Sequence, residues 1–129
     1  MSKKLFVEIV SPEQEVWAGE GDMVIAKTVE GEIGVLPNHI PVLSLLAEDA
    51  VVRVLGAREN GEVRAAAHGG FISVSGEGRV SILAETAELA EDIDVERART
   101  ALKNASEGED ASALGRARSR LRAAGEDAS

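Results

Sequence analysis

The side chains able to do chemistry are few. The chain carries two histidines and neither cysteine nor tyrosine. His39 follows Pro37-Asn38, and His68 precedes Gly69-Gly70 at what reads as the start of a strand. No acidic residue or second histidine stands at metal-ligand spacing to either, so each reads as an ordinary loop or strand-edge histidine and no metal site is expected. The serines lack a nucleophile-elbow or triad context, and catalysis by this chain alone is not expected. Gly69-Gly70 and Gly76-x-Gly78 lack the Lys-Ser/Thr pair and following helix of a phosphate-binding loop, which leaves them as turn and bulge positions.

Two charged stretches stand out. Between Glu85 and Glu96 lie the carboxylates of Glu85, Glu88, Glu91, Asp92, Asp94 and Glu96 with no base among them. Arg116, Arg118, Arg120 and Arg122 then follow with no acid among them. At ~100° per helical residue, Arg116 and Arg120 share one flank of an apolar stripe while Arg118 and Arg122 share the other. Such a helix either carries a solvated basic face, with surface ion pairs worth ~0 to 1 kcal/mol each, or presents a ligand or partner site. Spacing leaves both readings open.

The elements that must position these groups follow from composition. A chain of 129 residues suits one compact domain, or one with a short appendage. The balance of 14 basic against 23 acidic residues, net −9, disfavours nucleic acid and anionic membrane surfaces as partners. Absence of cysteine removes disulfides and thiolate sites. The first residues lack a signal-peptide run, so a cytosolic location is expected. No apolar run approaches the ~18 residues of a membrane span. With Phe6, Trp17 and Phe71 as the aromatics, the core must be aliphatic.

Ten of the 13 glycines fall between Gly19 and Gly78, separating short β-branched segments. Leu5, Val7 and Ile9 alternate with Lys4, Phe6 and Glu8, and Val80 and Ile82 with Arg79 and Ser81. This is the rhythm of an all-β unit of eight or more strands, with turns such as Glu59-Asn60-Gly61-Glu62 and Ser75-Gly76-Glu77-Gly78, and it predicts a β-sandwich or flattened barrel. After Glu85 the composition turns to Ala, Glu and Arg, the composition of helix. Val95, Ala98, Leu102 and Ala105, then Leu114, Ala117, Leu121 and Ala124, repeat at helical spacing. Asp94 and Asp110 are placed as caps and residues 106–109 as the turn, so the fold class is mainly β with a C-terminal antiparallel helical hairpin. The division expected is a sandwich over residues 1–85 and a hairpin over 86–129. The narrow Ala-rich seam, and Gly115 at a cost of ~1 kcal/mol, predict a weakly held hairpin.

The segments GEIGVLPNHIPVL (Gly31 to Leu43), HGGFISV (His68 to Val74) and VSILAETAE (Val80 to Glu88), with IVSPEQEVWAGE (Ile9 to Glu20) before them and the paired helices after, resemble the epsilon subunit of bacterial F-type ATP synthase over essentially the whole chain. The resemblance implies a non-catalytic rotor subunit that touches gamma and the membrane-embedded c-ring through its sandwich. Its hairpin would permit turnover when folded and obstruct ATP hydrolysis when extended into the catalytic alpha and beta subunits. The implied location is peripheral, on the cytoplasmic face of the cell membrane, reached only through the complex. The contact with the c-ring carried over by resemblance is the loop containing Glu32, Asn38 and His39, bracketed by Pro37 and Pro41.

No cofactor is required by this reading. Some family members nevertheless bind ATP through an Ile-Asp-x-x-Arg-Ala motif, present here from Ile93 through Asp94 and Arg97 to Ala98, with Glu88 upstream and Arg116 and Arg120 on the second helix. Asn104, beside Lys103, stands where the family has a further basic residue, so weak regulatory ATP binding is the implication. Read from the residues alone, Asp94 is equally a helix cap with Arg97 as its i+3 ion-pair partner. A free-standing β-sandwich module with a nucleotide-sensing helical tail is the competing class.

Overall fold

The computed structural model describes residues 4–38, 41–58 and 61–126. Its strands are Leu5–Ser11 (β1), Gln14–Gly21 (β2), Met23–Thr28 (β3), Gly31–Val35 (β4) and Val42–Leu45 (β5). They continue with Val51–Arg58 (β6), Gly61–His68 (β7), Phe71–Val74 (β8), Arg79–Leu83 (β9) and Thr86–Leu89 (β10). A single 3-10 turn, Ala90–Asp92, leads into the helices Val95–Glu107 (α1) and Ala111–Ala123 (α2).

The strands form two five-stranded sheets, ordered β2-β1-β9-β8-β5 and β10-β7-β6-β3-β4. Strand β1 runs parallel to β9, and the other strand pairings among the described residues are antiparallel. Alternation decides which face is buried. Leu5, Val7, Ile9, Ile72, Val80 and Ile82 line the inside of the first sheet, and Val24, Val52, Val54, Val63, Ala65 and Ala67 the inside of the second. Each fully buried Val, Ile or Leu contributes ~1.5 to 3 kcal/mol, so the sandwich is the rigid body on which the rest is mounted.

Strand structure runs past Glu85. Thr86, Ala87, Glu88 and Leu89 pair antiparallel with His68, Ala67, Ala66 and Ala65, although their composition is that of a helix. The unpaired edge of β7 supplies the reason, since its backbone groups need a partner and the sheet overrides propensity. The same register corrects the placement of His68, which ends β7 rather than starting a strand. Gly70 has a positional reason, because a Cβ there would run into the backbone of Leu83 and Ala84.

Both helices are capped as their sequences predict. Asp94 accepts from the Arg97 backbone N–H at 3.0 Å and Asp110 from that of Ala113 at 3.1 Å, satisfying donors that a helix start leaves open. The chain turns through Gly108 and Glu109, the latter at φ 54°. Ala98 and Leu121 meet between the helices, flanked by Val95 and Leu102. Among the described residues no helix is long and apolar enough to cross a membrane.

Candidate functional site

Helix α2 has two working faces. One carries Ala117 and Leu121 toward α1; the other, with Ser119 and Ala123, lies on the outer face of β6 and β7. Period-2 alternation turns Ala66 outward from the core, where it packs with Ala123 and Ile93. The Ser119 hydroxyl donates to the Ala50 carbonyl, and the Ser112 hydroxyl to Glu48 Oε1 at 2.9 Å. Gly115 permits this approach, since a Cβ built on it would lie 3.0 Å from the Glu48 Cβ. None of Ser112, Gly115 and Ser119 stood out in the sequence as a docking residue. The available signal was the Ala65-Ala66-Ala67 run, whose outward-facing Ala66 is small enough to admit a helix.

The arginines divide between the flanks as helical spacing predicts. Arg120 Nε donates to Glu88 Oε1 at 2.6 Å, tying α2 to β10. On the other flank Arg122 reaches Asp49 at 2.7 Å, and Lys27 reaches the same carboxylate oxygen at 2.6 Å. Burial opposes ionisation of Asp49, but the hydrogen bonds and charges of Lys27 and Arg122 outweigh it and hold the carboxyl below its ordinary range. Glu62 behaves likewise between Arg53 and Arg64. Arg118 buries its Nε without a hydrogen-bond partner among the described residues.

A depression of about 530 Å³ opens where the hairpin meets β10, lined by Glu88, Asp92, Asp94, Arg97, Ala98, Ala101 and Arg120. Five of the seven residues of the nucleotide motif therefore converge: Glu88, Asp94, Arg97, Ala98 and Arg120. Ile93 lies beneath, buried against Ala66 and Ala123. Arg116 is not in the lining; one turn before Arg120, it lies near enough to His68 at the end of β7 for its charge to act there. Asp94 spends one oxygen on its cap and contacts the backbone of Arg97 rather than its guanidinium. The chemistry available is anion binding by two guanidinium groups from different helices, with Glu88 already holding one of them.

His68 is 3 % exposed. Its Nδ1 lies 2.9 Å from Thr86 Oγ1, and its Nε2 is buried with no partner among the described residues. Burial, then the charges of Arg120 and Arg116, lower its pKa from 6.5 to about 4, so the imidazole is neutral at neutral pH.

The proposed c-ring loop is only partly in view. Glu32 sits on strand β4, opposite Lys27, rather than in one loop with Asn38. Asn38 lies in the following turn at φ 74°, and His39 falls outside the described residues. On the sandwich's other exposed ground, Val29, Leu36, Leu43 and Leu45 are each more than half exposed, at 54 to 69 %. Beside them an apolar depression of about 730 Å³ is lined by Val10, Val29, Leu45, Phe71 and Leu83 among others. Among the described residues no three His, Cys, Asp or Glu side chains are grouped as a metal site would need.

Residues 4–90 match the family described as "ATP synthase, Delta/Epsilon chain, beta-sandwich domain". A chain named ATP synthase epsilon chain from Thermobifida fusca is 70 % identical over 129 residues, covering 96 % of this chain and 94 % of that one. One of the same name from Streptomyces griseus is 48 % identical over 123 residues, covering 95 % and 97 %. A solved chain from the Euglena gracilis mitochondrial ATP synthase, in a structure of its OSCP, F1 and c-ring, shares the fold with TM-score 0.75 at 23 % identity, covering 94 % of this chain and 81 % of that one. A second, from the central stalk and c-ring of the Tetrahymena thermophila mitochondrial enzyme, gives TM-score 0.60 at 16 % identity, covering 92 % and 98 %. The family match spans the sandwich and the matches to the two epsilon chains run through the hairpin as well, so the chain belongs to the ATP synthase epsilon-chain family.

Proposed function

We propose that this chain works as a non-catalytic rotor subunit of a bacterial ATP synthase. Its sandwich would seat between gamma and the c-ring, and its hairpin would restrain ATP hydrolysis when it leaves the sandwich for the catalytic alpha and beta subunits. The 70 % identity to an epsilon chain over 96 % of this chain supports the assembly. The exposed apolar ground of Val29, Leu43 and Leu45, with half-buried Phe71 in the depression beside it, is a docking surface suited to gamma. Glu32, Asn38 and His39 are the proposed c-ring contacts. The complex would hold the chain at the cytoplasmic face of the membrane.

The observation that carries the regulatory half is the seam under α2. It consists of small side chains, two hydroxyl contacts and partly exposed ion pairs, and exposed pairs of this kind contribute ~0 to 1 kcal/mol each. A docked state held this way lies within a few kcal/mol of release, as a two-state element requires. Glu48→Cys with Gly115→Cys tests it, because a Cβ at position 115 would lie 3.0 Å from that of residue 48, so a shift of under an ångström apart reaches the ~3.5 to 4.5 Å of a disulfide, and the chain has no other cysteine. In the assembled complex, oxidation should lock the hairpin down and raise ATP hydrolysis several-fold, reversibly on reduction. Hydrolysis indifferent to the lock would end the regulatory reading, and a chain that never associates with gamma would make it a free-standing module. ATP bound weakly in the depression between Arg97 and Arg120 would favour the docked hairpin by mass action.

A further inference from the structure

We infer that His68 makes hairpin docking proton-sensitive: α2 lies on the sheet only while this imidazole is uncharged, and protonation drives the helix off. The inference rests on the reading of the hairpin as a two-state element and names what biases it. Alternation along β7 places His68 on the outer face with Ala66, directly under α2 and opposite Thr86 on β10. The helix is what covers that face, so docking buries His68 and release returns it to water.

The groups around it oppose a positive charge. Arg116 and Arg120 face it from α2 and set its field. From β10, Thr86 engages Nδ1, Glu85 lies over Gly69, and Glu88 is held by Arg120. From the connection between β5 and β6, Glu48 accepts from Ser112, and Asp49 is shared by Lys27 and Arg122. A proton on Nε2 would add a cation with no buried acceptor, beside two existing cations.

The sign follows directly. His68 titrates near 6.5 in water and about 4 when docked. Docking is therefore full-strength above 6.5 and weakens as the pH falls from there toward 4. Between pH 7.5 and 5.5 the open-to-docked ratio should rise about tenfold.

Limited proteolysis of the full chain reads this, because cleavage within α2 tracks the open population. Dividing the wild-type rate by that of His68→Gln at each pH cancels the protease's own pH dependence. The quotient should rise about tenfold from pH 7.5 to 5.5; a flat quotient overturns the inference. Should the variant fail to fold, the wild-type imidazole C–H resonances decide. With two histidines in the chain, His68 should titrate well below 6.5 in step with shifts in α2 amides, and a midpoint at 6.5 with α2 still docked overturns it. Both readouts concern docking alone, whereas the disulfide lock reads hydrolysis, so either proposal can fail without the other.

Discussion

Arg120 donates through Nε to Glu88 and also lines the depression beside Arg97, so a phosphate entering there competes with a carboxylate for one guanidinium. This competition sets the direction of the residue-scale predictions. In calorimetric titration of the isolated chain with ATP, Arg97→Ala and Arg120→Ala should each weaken binding at least about tenfold, the loss of a charge-assisted hydrogen bond being worth ~1.5 to 3 kcal/mol. Arg116→Ala should change it less than about threefold, since Arg116 does not line the depression. Glu88→Gln should tighten binding by freeing Arg120 and removing a negative charge. No heat at millimolar ATP, or equal losses in all three arginine variants, would remove the nucleotide site. The motif itself was legible from Ile93 to Ala98. The absence of Arg116 from the depression was not, because helical spacing assigns a flank and only the sheet beneath decides what that flank meets.

At the scale of elements, α2 depends on closeness. Gly115 lets the helix axis approach the β5–β6 connection, and Ser119 and Ala123 keep its underside thin. Gly115→Leu should gain helix propensity by ~1 kcal/mol and lose more than that by overpacking against Glu48, at ~1 to 3 kcal/mol. The outcome expected is an α2 that remains helical yet exchanges its amide hydrogens faster than wild type, with the β7 amides unchanged. Slower exchange throughout α2 would show that the glycine is only a helix defect. Periodicity sufficed for the two helices, their aspartate caps and the strands of the core, because burial on one face and local capping are written into neighbouring residues. It failed at β10, where Thr86-Ala87-Glu88-Leu89 carries no strand signature. Pairing with β7, nearly twenty residues earlier, makes it a strand, and long-range pairing is invisible to a local window. The second face of α2 escaped for a related reason, as the stripe of Leu114, Ala117, Leu121 and Ala124 leaves out Ser119 and Ala123, whose small side chains give no apolar signal of their own.

For the molecule as a whole, β10 decides where the sandwich can be separated from the hairpin. The helix-like composition suggests a cut after Glu85, but that cut removes the strand covering the β7 edge and leaves the Ala65–His68 backbone without its ladder. It also removes Ala87 and Leu89, which pack against the main core. A chain ending at Asp92 keeps all ten described strands and loses only α1, α2 and the contacts under them. That chain should unfold cooperatively in urea, retain binding to gamma, and relieve any inhibition of ATP hydrolysis in the assembled complex. The chain ending at Glu85 should have a lower denaturant midpoint and associate through its exposed edge at raised concentration. Equal midpoints for the two truncations would mean that β10 belongs with the hairpin rather than the sandwich. The core supports the opposite result: the inner faces of the two sheets close on each other with Val, Ile, Leu and Ala alone, whereas the hairpin meets them through a few small side chains and polar links. The weakest seam in the molecule thus lies under α2 and not under β10, which is where the proposed release of the hairpin from a support that stays folded requires it.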